Sequence, residues 1–214
     1  MQAFDSLSRN IQQYIYDKGW PSLTRIQNAA IKQVANTDHN LILSAPTASG
    51  KTEAAFIPAL NSVEDWDTGL KVLYISPLKA LINDQFQRIS ELSAYLDIPI
   101  TPWHGEVSQA QKKKVVNQPK GILLITPESI EGMLVNRPGK AQHLFKGVEW
   151  IIIDELHSFL GTERGVHLQS LLQRISQFMQ APRFIAMSAT LNKKDFGYAK
   201  AFFGSQRDTD ILVD

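Results

Sequence analysis

Residues 41–52, LILSAPTASGKT, constrain the fold more than any other stretch of this chain. The aliphatic residues Leu41, Ile42 and Leu43 run into small, turn-prone residues, and Gly50-Lys51-Thr52 then opens a helical pattern. A strand, a tight loop and a helix N-terminus in that order make a cradle of backbone N–H groups. The aligned peptide dipoles favour an anion there. Lys51 is expected to reach the β- and γ-phosphates of a nucleotide, and the Thr52 hydroxyl to take one Mg²⁺ position. The usual pattern is G-x-x-x-x-G-K-[ST], and Ala45 stands at its first glycine.

The remaining apolar runs repeat the same plan. Phe4, Leu7, Ile11 and Ile15 predict an amphipathic helix over 4–18, ended by Gly19. A second helix is expected from Thr24, with Ile26, Ala30 and Val34 on one face. Pro58 should kink the helix that follows Lys51. Compact strands are expected at Lys71–Ser76, Gly121–Thr126, Trp150–Asp154 and Arg183–Ser188, with a weaker one at Ile98–Trp103 and a last one at Asp210–Val213. Helices are expected over 80–96, at a polar segment ending KKKVV (112–116), over Glu128–Val135, over 165–179 and over Phe196–Phe203. Residues 64–70 read as a surface loop and Asn136–Gln142 as a basic loop. Short strands without alternation, each followed by a helix, argue for an α/β fold with a mainly parallel sheet covered on both faces. The simplest count is one domain over 1–214, with N-terminal helices over 1–36 and the sheet core over 37–214.

Ligands of such a sheet bind beyond the carboxyl ends of its strands. Those ends carry Ser49-Gly50-Lys51-Thr52, Pro77-Leu78-Lys79, Pro127-Glu128-Ser129, Asp154-Glu155-Leu156-His157 and Ser188-Ala189-Thr190. Four apolar residues place Asp154 at the mouth of a buried strand, where a carboxylate is costly unless a cation offsets it. A Mg²⁺ shared by Thr52 and Asp154 would bridge phosphate oxygens, and Glu155 could orient or deprotonate the attacking water. A plainer reading, a carboxylate pair capping a helix, loses weight beside a phosphate loop in the same sheet. Thr24 and Gln27 fit a capping box, which the spacing favours slightly over an adenine-edge contact from Gln27. Lys112-Lys113-Lys114 reads as a solvated helix face or as a phosphate-tracking patch. His104 and His157 lack the company of a zinc site. Trp66 and Trp103 suit partly buried packing or base stacking.

Composition narrows the rest. A formal net charge of +1 predicts no acidic partner from bulk charge, so nucleic-acid contact would need a local patch. The absence of Cys excludes disulfides and thiolate metal sites and fits a reducing compartment. With no signal-like N-terminus and no membrane-length apolar run, a cytoplasmic protein without a membrane partner is expected.

Taken in order, these stretches resemble the first, RecA-like motor domain of superfamily 2 DExD/H-box helicases. Thr24 and Gln27 are similar to the Q motif, 45–52 to motif I, 76–81 to motif Ia and 126–129 to motif Ib. Asp154-Glu155-Leu156-His157 resembles motif II in its DExH form, and Ser188-Ala189-Thr190 motif III. Ala45 is ordinary in that family, whereas Leu23 replaces a frequent Pro and Ala48 a frequent Gly. The segment Gly161–Leu168 looks closest to the Lhr-like branch. The resemblance implies a RecA-like P-loop NTPase sandwich in which Thr24, Gln27, Thr47, Ala48, Ser49, Gly50, Lys51, Thr52 and Glu53 bind ATP. It implies Mg²⁺ on Thr52 and Asp154, and catalysis by Lys51, Asp154 and Glu155. It implies contact of Pro77, Leu78, Lys79, Thr126, Pro127 and Glu128 with single-stranded or partly duplex DNA or RNA, and coupling of hydrolysis to domain movement by His157, Ser188 and Thr190.

Nothing after Thr190 matches a second motor domain, and Arg207 is the only arginine there. Phosphoryl transfer without an arginine finger runs about 10³–10⁵-fold slower. The expectation is therefore a motor domain that needs a second RecA-like domain and is weakly active by itself. Two rivals differ in class: another P-loop ATPase, which would need an arginine-rich lid, and a nucleic-acid-binding module with little or no ATPase activity.

Overall fold

The computed structural model describes residues 3–204 and 206–214. Its centre is a seven-stranded sheet of β1 (Asn40–Ser44), β2 (Gly69–Ile75), β3 (Ile100–Trp103), β4 (Lys120–Ile125), β5 (Trp150–Ile153), β6 (Arg183–Ser188) and β7 (Thr209–Val213). All pairings are parallel, in the order β3-β4-β2-β5-β6-β1-β7.

Alternate residues of the inner strands face opposite cores. Leu41, Leu43, Val72, Tyr74, Ile122, Leu124, Ile152 and Ile185 join one cluster with α1 (Arg9–Asp17), α2 (Arg25–Asn36), α3 (Lys51–Ser62) and α4 (Lys79–Tyr95). Ile42, Leu73, Ile75, Leu123, Ile125, Ile151 and Ala186 join another, with α6 (Pro127–Asn136), α7 (Pro138–Phe145), α8 (Glu163–Ser176) and α9 (Phe196–Ala201). The two valines of the polar α5 (Gln109–Asn117) pack on this second cluster. Both faces are buried, which is why these strands are unbroken apolar runs without polar alternation. The product is a three-layer α/β/α sandwich. Among the described residues no helix is long and apolar enough to cross a membrane.

Three expectations need correction. The helix over 4–18 is broken: a 3₁₀ turn covers Phe4–Ser6, Leu7 is extended, and α1 starts only at Arg9. The Ser8 N–H donates to Asn61 Oδ1 (2.7 Å), so a long-range bond fixes the break that the periodicity hid. Residues 136–142 are not a loop. Pro138 occupies the first turn of α7, which buries Ala141, Leu144 and Phe145; a proline in that position is pre-shaped for a helix, not only for a turn. The 64–70 segment ends early, because Gly69 and Leu70 already belong to β2. At Pro58, α3 continues through to Ser62. β3 starts only at Ile100, after Pro99, and runs unbroken through Pro102 at a sheet edge, where a missing ladder donor is tolerated.

One surface contact predicts a pH dependence. Glu131 on α6 accepts from both terminal nitrogens of Arg174 and lies 3.0 Å from His167 Nε2, both on α8. The Arg174 guanidinium foremost, then His167, holds the Glu131 carboxyl down at about 2. A folded-state value below the unfolded one contributes stability above the unfolded value, lost as pH falls through the folded one. The pair is part-exposed, so solvent screening limits it to about 1 kcal/mol. Urea unfolding of Glu131→Gln should therefore give a deficit near neutral pH that disappears between about pH 4.5 and pH 2. A deficit independent of pH would contradict this.

Candidate nucleotide site and the adjoining rim

The strand order decides which tips meet. β6 lies between β1 and β5, so the phosphate loop, Ser188-Ala189-Thr190 and Asp154-Glu155 stand side by side. The tips of β2, β4 and β3 continue the same rim beyond β5.

The loop is held from behind. Thr24 caps α2: its Oγ1 accepts the Gln27 N–H, and Gln27 Oε1 accepts the Thr24 N–H (2.9 Å). The buried Gln27 also donates from Nε2 to the Gly50 carbonyl (3.4 Å). Capping box and site contact therefore coexist in one side chain. Gly50 caps α3 at φ +83°, a left-handed conformation that glycine adopts without strain, and a Cβ there would displace the Gln27 amide 2.6 Å away. Ala48 is also left-handed (φ +65°), the conformation that explains why glycine suits this position and that strains an alanine.

Lys51 folds over the loop and donates from Nζ to the carbonyls of Ala45 and Pro46 (2.6 Å to Pro46). Burial lowers its pKa, opposed by the charges of Glu155 and Asp154. Ser49 Oγ is buried without a partner among the described residues, Thr52 is buried at the helix start, and Thr47 and Ala48 are exposed at the mouth. Glu53 turns sideways instead, to Arg88 of α4 (3.0 Å).

Asp154 lies at the end of β5 with 6% of its surface exposed. Its carboxylate accepts from the Tyr74 hydroxyl and from the Glu155 N–H (2.9 Å). Burial nevertheless raises its pKa, and Tyr74 is raised well above the usual phenol range by burial and by this carboxylate. A buried acid that is short of positive charge suits a cation. Among the described residues no three His, Cys, Asp or Glu side chains gather around a metal position. The hard oxygens of Thr52 and Asp154 suit an ion that keeps water and phosphate ligands, as Mg²⁺ does.

Glu155 adopts a left-handed backbone (φ +49°), strained for a non-glycine residue, and opens a 3₁₀ turn over Leu156–Ser158. In that turn His157 Nδ1 lies 3.3 Å from Ser188 Oγ, from the Ala189 N–H and from Glu155 Oε2. The Ala189 amide can only donate to Nδ1 and the Glu155 carboxylate can only accept from it, so the two neighbours make opposite demands on this nitrogen. Thr190 is exposed beside this cluster.

Along the rim Pro77 is buried, Leu78 exposed and Lys79 paired with Glu106. Thr126 caps α6 by accepting the Ser129 N–H (3.3 Å), and Pro127 fills its first turn. Glu128 receives Arg164 Nη2 at 2.8 Å, and the same nitrogen donates to the Pro77 carbonyl (2.8 Å). Trp103 is buried under Lys112 (5.7 Å from ring centre to Nζ), Trp66 packs on the first core, and Lys113 and Lys114 are exposed.

Sequence reasoning missed Tyr74 and Arg164. The signal for Tyr74 was a hydroxyl in an otherwise aliphatic buried run, since buried phenols seek partners. Arg164 gave none, because its partners are 87 and 36 residues away.

The model of the DEAD/DEAH box helicase family matches residues 24–196. The chain is 30% identical to the ATP-dependent helicase Lhr-Core of Methanocaldococcus jannaschii over 99% of its length, and covers 26% of that relative. It is 33% identical to the Lhr helicase/uracil glycosylase of Escherichia coli, with 88% of this chain and 13% of that protein covered. The whole chain superposes on the Mycobacterium smegmatis helicase Lhr bound to ssDNA and AMP-PNP, with a TM-score of 0.86 and 27% identity, covering 28% of that chain. The DEAD-box helicase Mss116, bound to ssRNA and UDP-BeF, shares the fold at a TM-score of 0.84 and 20% identity; the match covers 97% of this chain and 43% of that one. The chain thus spans about a quarter or less of the length of these curated relatives.

Proposed function

The chain belongs to the DEAD/DEAH box helicase family, and from that premise we propose that it is the N-terminal, ATP-binding RecA-like motor domain of a nucleic-acid helicase or translocase. The adjacency of the β1, β6 and β5 tips carries this reading, because it brings the Lys51 ammonium within the field of Asp154 and Glu155. Residues 47–52 form the cradle around the phosphates, while the Glu53 side chain stays outside it with Arg88. Lys51 leaves the Ala45 and Pro46 carbonyls for the β- and γ-oxygens, and Gln27 meets the adenine edge with its spare amide valences. Thr52 and Asp154 would hold Mg²⁺, which supplies charge neutralisation at the phosphates. Glu155 accepts a proton from the attacking water. His157, tied to Ser188 and Ala189, reports the state of this site to Thr190 and to a second motor domain in the full-length protein. Pro77, Leu78, Lys79, Thr126 and Pro127 track a single-stranded or partly duplex DNA or RNA backbone, with Glu128 completing that surface. The domain over 1–214 divides into helices before residue 37 and a sheet core after it, and the cysteine-free composition suits the cytoplasm.

Glu155→Gln separates binding from chemistry. Calorimetry should find Mg-ATP affinity retained, while phosphate release with excess single strand falls about 10²–10⁴-fold. Unchanged turnover would remove Glu155 from the reaction, and a wild-type chain that binds no Mg-ATP would overturn the whole reading.

A further inference from the structure

An acidic side chain on a surface meant for phosphates is a contradiction in charge. Glu128 stands there, at the first turn of α6; a carboxylate can only accept hydrogen bonds, and a phosphodiester offers it no donor. Its neighbour resolves the difficulty. Arg164, in the first turn of α8, spends Nη2 on Glu128 Oε1 and on the Pro77 carbonyl. Among the described residues Nη1 and Nε make no hydrogen bond, and the side chain is 46% exposed. One edge of the guanidinium is thus anchored between the β2 and β4 tips, and the other faces outward. We infer that Arg164 is the side chain that takes a backbone phosphate of a bound single strand at the β2–β4 tips, and that Glu128 holds Arg164 without touching the strand. This rests on the helicase reading above.

The anchoring is unlike an ordinary brace between helices. One turn further along α6, Glu131 already joins α6 to α8 through His167 and Arg174. Arg164 is fixed instead to a backbone carbonyl of the β2 tip, with its guanidinium carbon 5.7 Å from the Phe159 ring centre. Phe159 follows the Glu155–Ser158 turn directly, so the phosphate-facing group is built on the segment that leaves Asp154 and Glu155. The guanidinium fork suits a phosphate, and its planar geometry is already fixed before a strand arrives. Lys79, paired with Glu106 on the neighbouring tip, repeats the arrangement of a cation held by an acid beside the strand path.

Fluorescence anisotropy with a labelled single-stranded oligonucleotide, over a series of salt concentrations, tests the assignment. Arg164→Ala should weaken binding about tenfold and flatten the slope of log affinity against log salt by about 0.7, the loss of one phosphate contact on a single strand. Arg164→Lys keeps the charge and should keep most of the slope, which guards against a folding artefact. Glu128→Gln still accepts from Arg164 but no longer repels phosphate, so it should bind a few-fold tighter with the slope retained. An unchanged slope in Arg164→Ala, whether or not affinity falls, would overturn the Arg164 assignment. Weaker binding by Glu128→Gln would put Glu128 itself on the strand and overturn its holding role. If the wild-type chain shows no salt-dependent binding, the helicase reading fails as well; if it binds and only the Arg164 slope is unmoved, that reading stands.

Discussion

Lys51→Ala is expected to lower Mg-ATP affinity by about 10–100-fold, the loss of a charge-assisted contact worth about 1.5–3 kcal/mol. Two structural consequences accompany the lost phosphate contact, and only the second adds to it, because Lys51 gives up the Ala45 and Pro46 carbonyls on binding in any case. The carbonyls of Ala45 and Pro46 lose their donor, so the loop loses the bond that ties its two ends. Asp154 loses the Lys51 charge that opposes the effect of its burial, which pushes its carboxyl further toward the protonated form and away from cation binding. Titration calorimetry with Mg-ATP measures the effect, and far-UV circular dichroism checks that the fold is intact. Wild-type affinity in a folded Lys51→Ala chain would remove Lys51 from the phosphate site.

Gly165→Ala is expected to destabilise the chain by about 2–3 kcal/mol or more, because backbone would have to move. A Cβ on Gly165 would stand 1.9 Å from the Phe159 carbonyl oxygen and 2.8 Å from its carbon. That carbonyl already accepts from the Thr162 N–H and from Thr162 Oγ1 (2.9 Å), and Thr162 caps α8. Relief would have to come from swinging the start of α8, carrying Arg164 away from the β2 tip. Gly132 in α6 is the matched control, with nothing within 4 Å of its added Cβ. Gly132→Ala should gain up to about 1 kcal/mol from helix propensity. Urea midpoints for the two variants decide the matter: similar values would mean that Gly165 is not confined as described.

Much of the fold was legible because both faces of the sheet are buried. Continuous aliphatic runs such as Ile151–Ile153 announce such strands without any need to know what covers them. Failures fell where a distant partner or a local exception decided the outcome. Ser8 breaks the first helix through Asn61, and Pro138 starts a helix inside a stretch rich in turn residues. In the candidate site, the positions of Lys51, Thr52, Asp154 and Glu155 beyond strand ends were readable from the sequence. Glu53 was not, since its pairing with Arg88 depends on how α3 lies against α4.

The sequence by itself determined that a phosphate cradle follows one buried strand and an acidic pair follows another, because both depend on neighbours a few residues away. Tertiary structure decided the order of the tips. Placing β6 between β1 and β5 joins Ser188 and His157 into the nucleotide site, and placing β2 and β4 beyond β5 lays Pro77 and Glu128 side by side under Arg164. Strand order follows from which apolar faces pack together across the whole chain. No window of sequence contains that information, so the pairing of Glu128 with Arg164 emerges only from the fold.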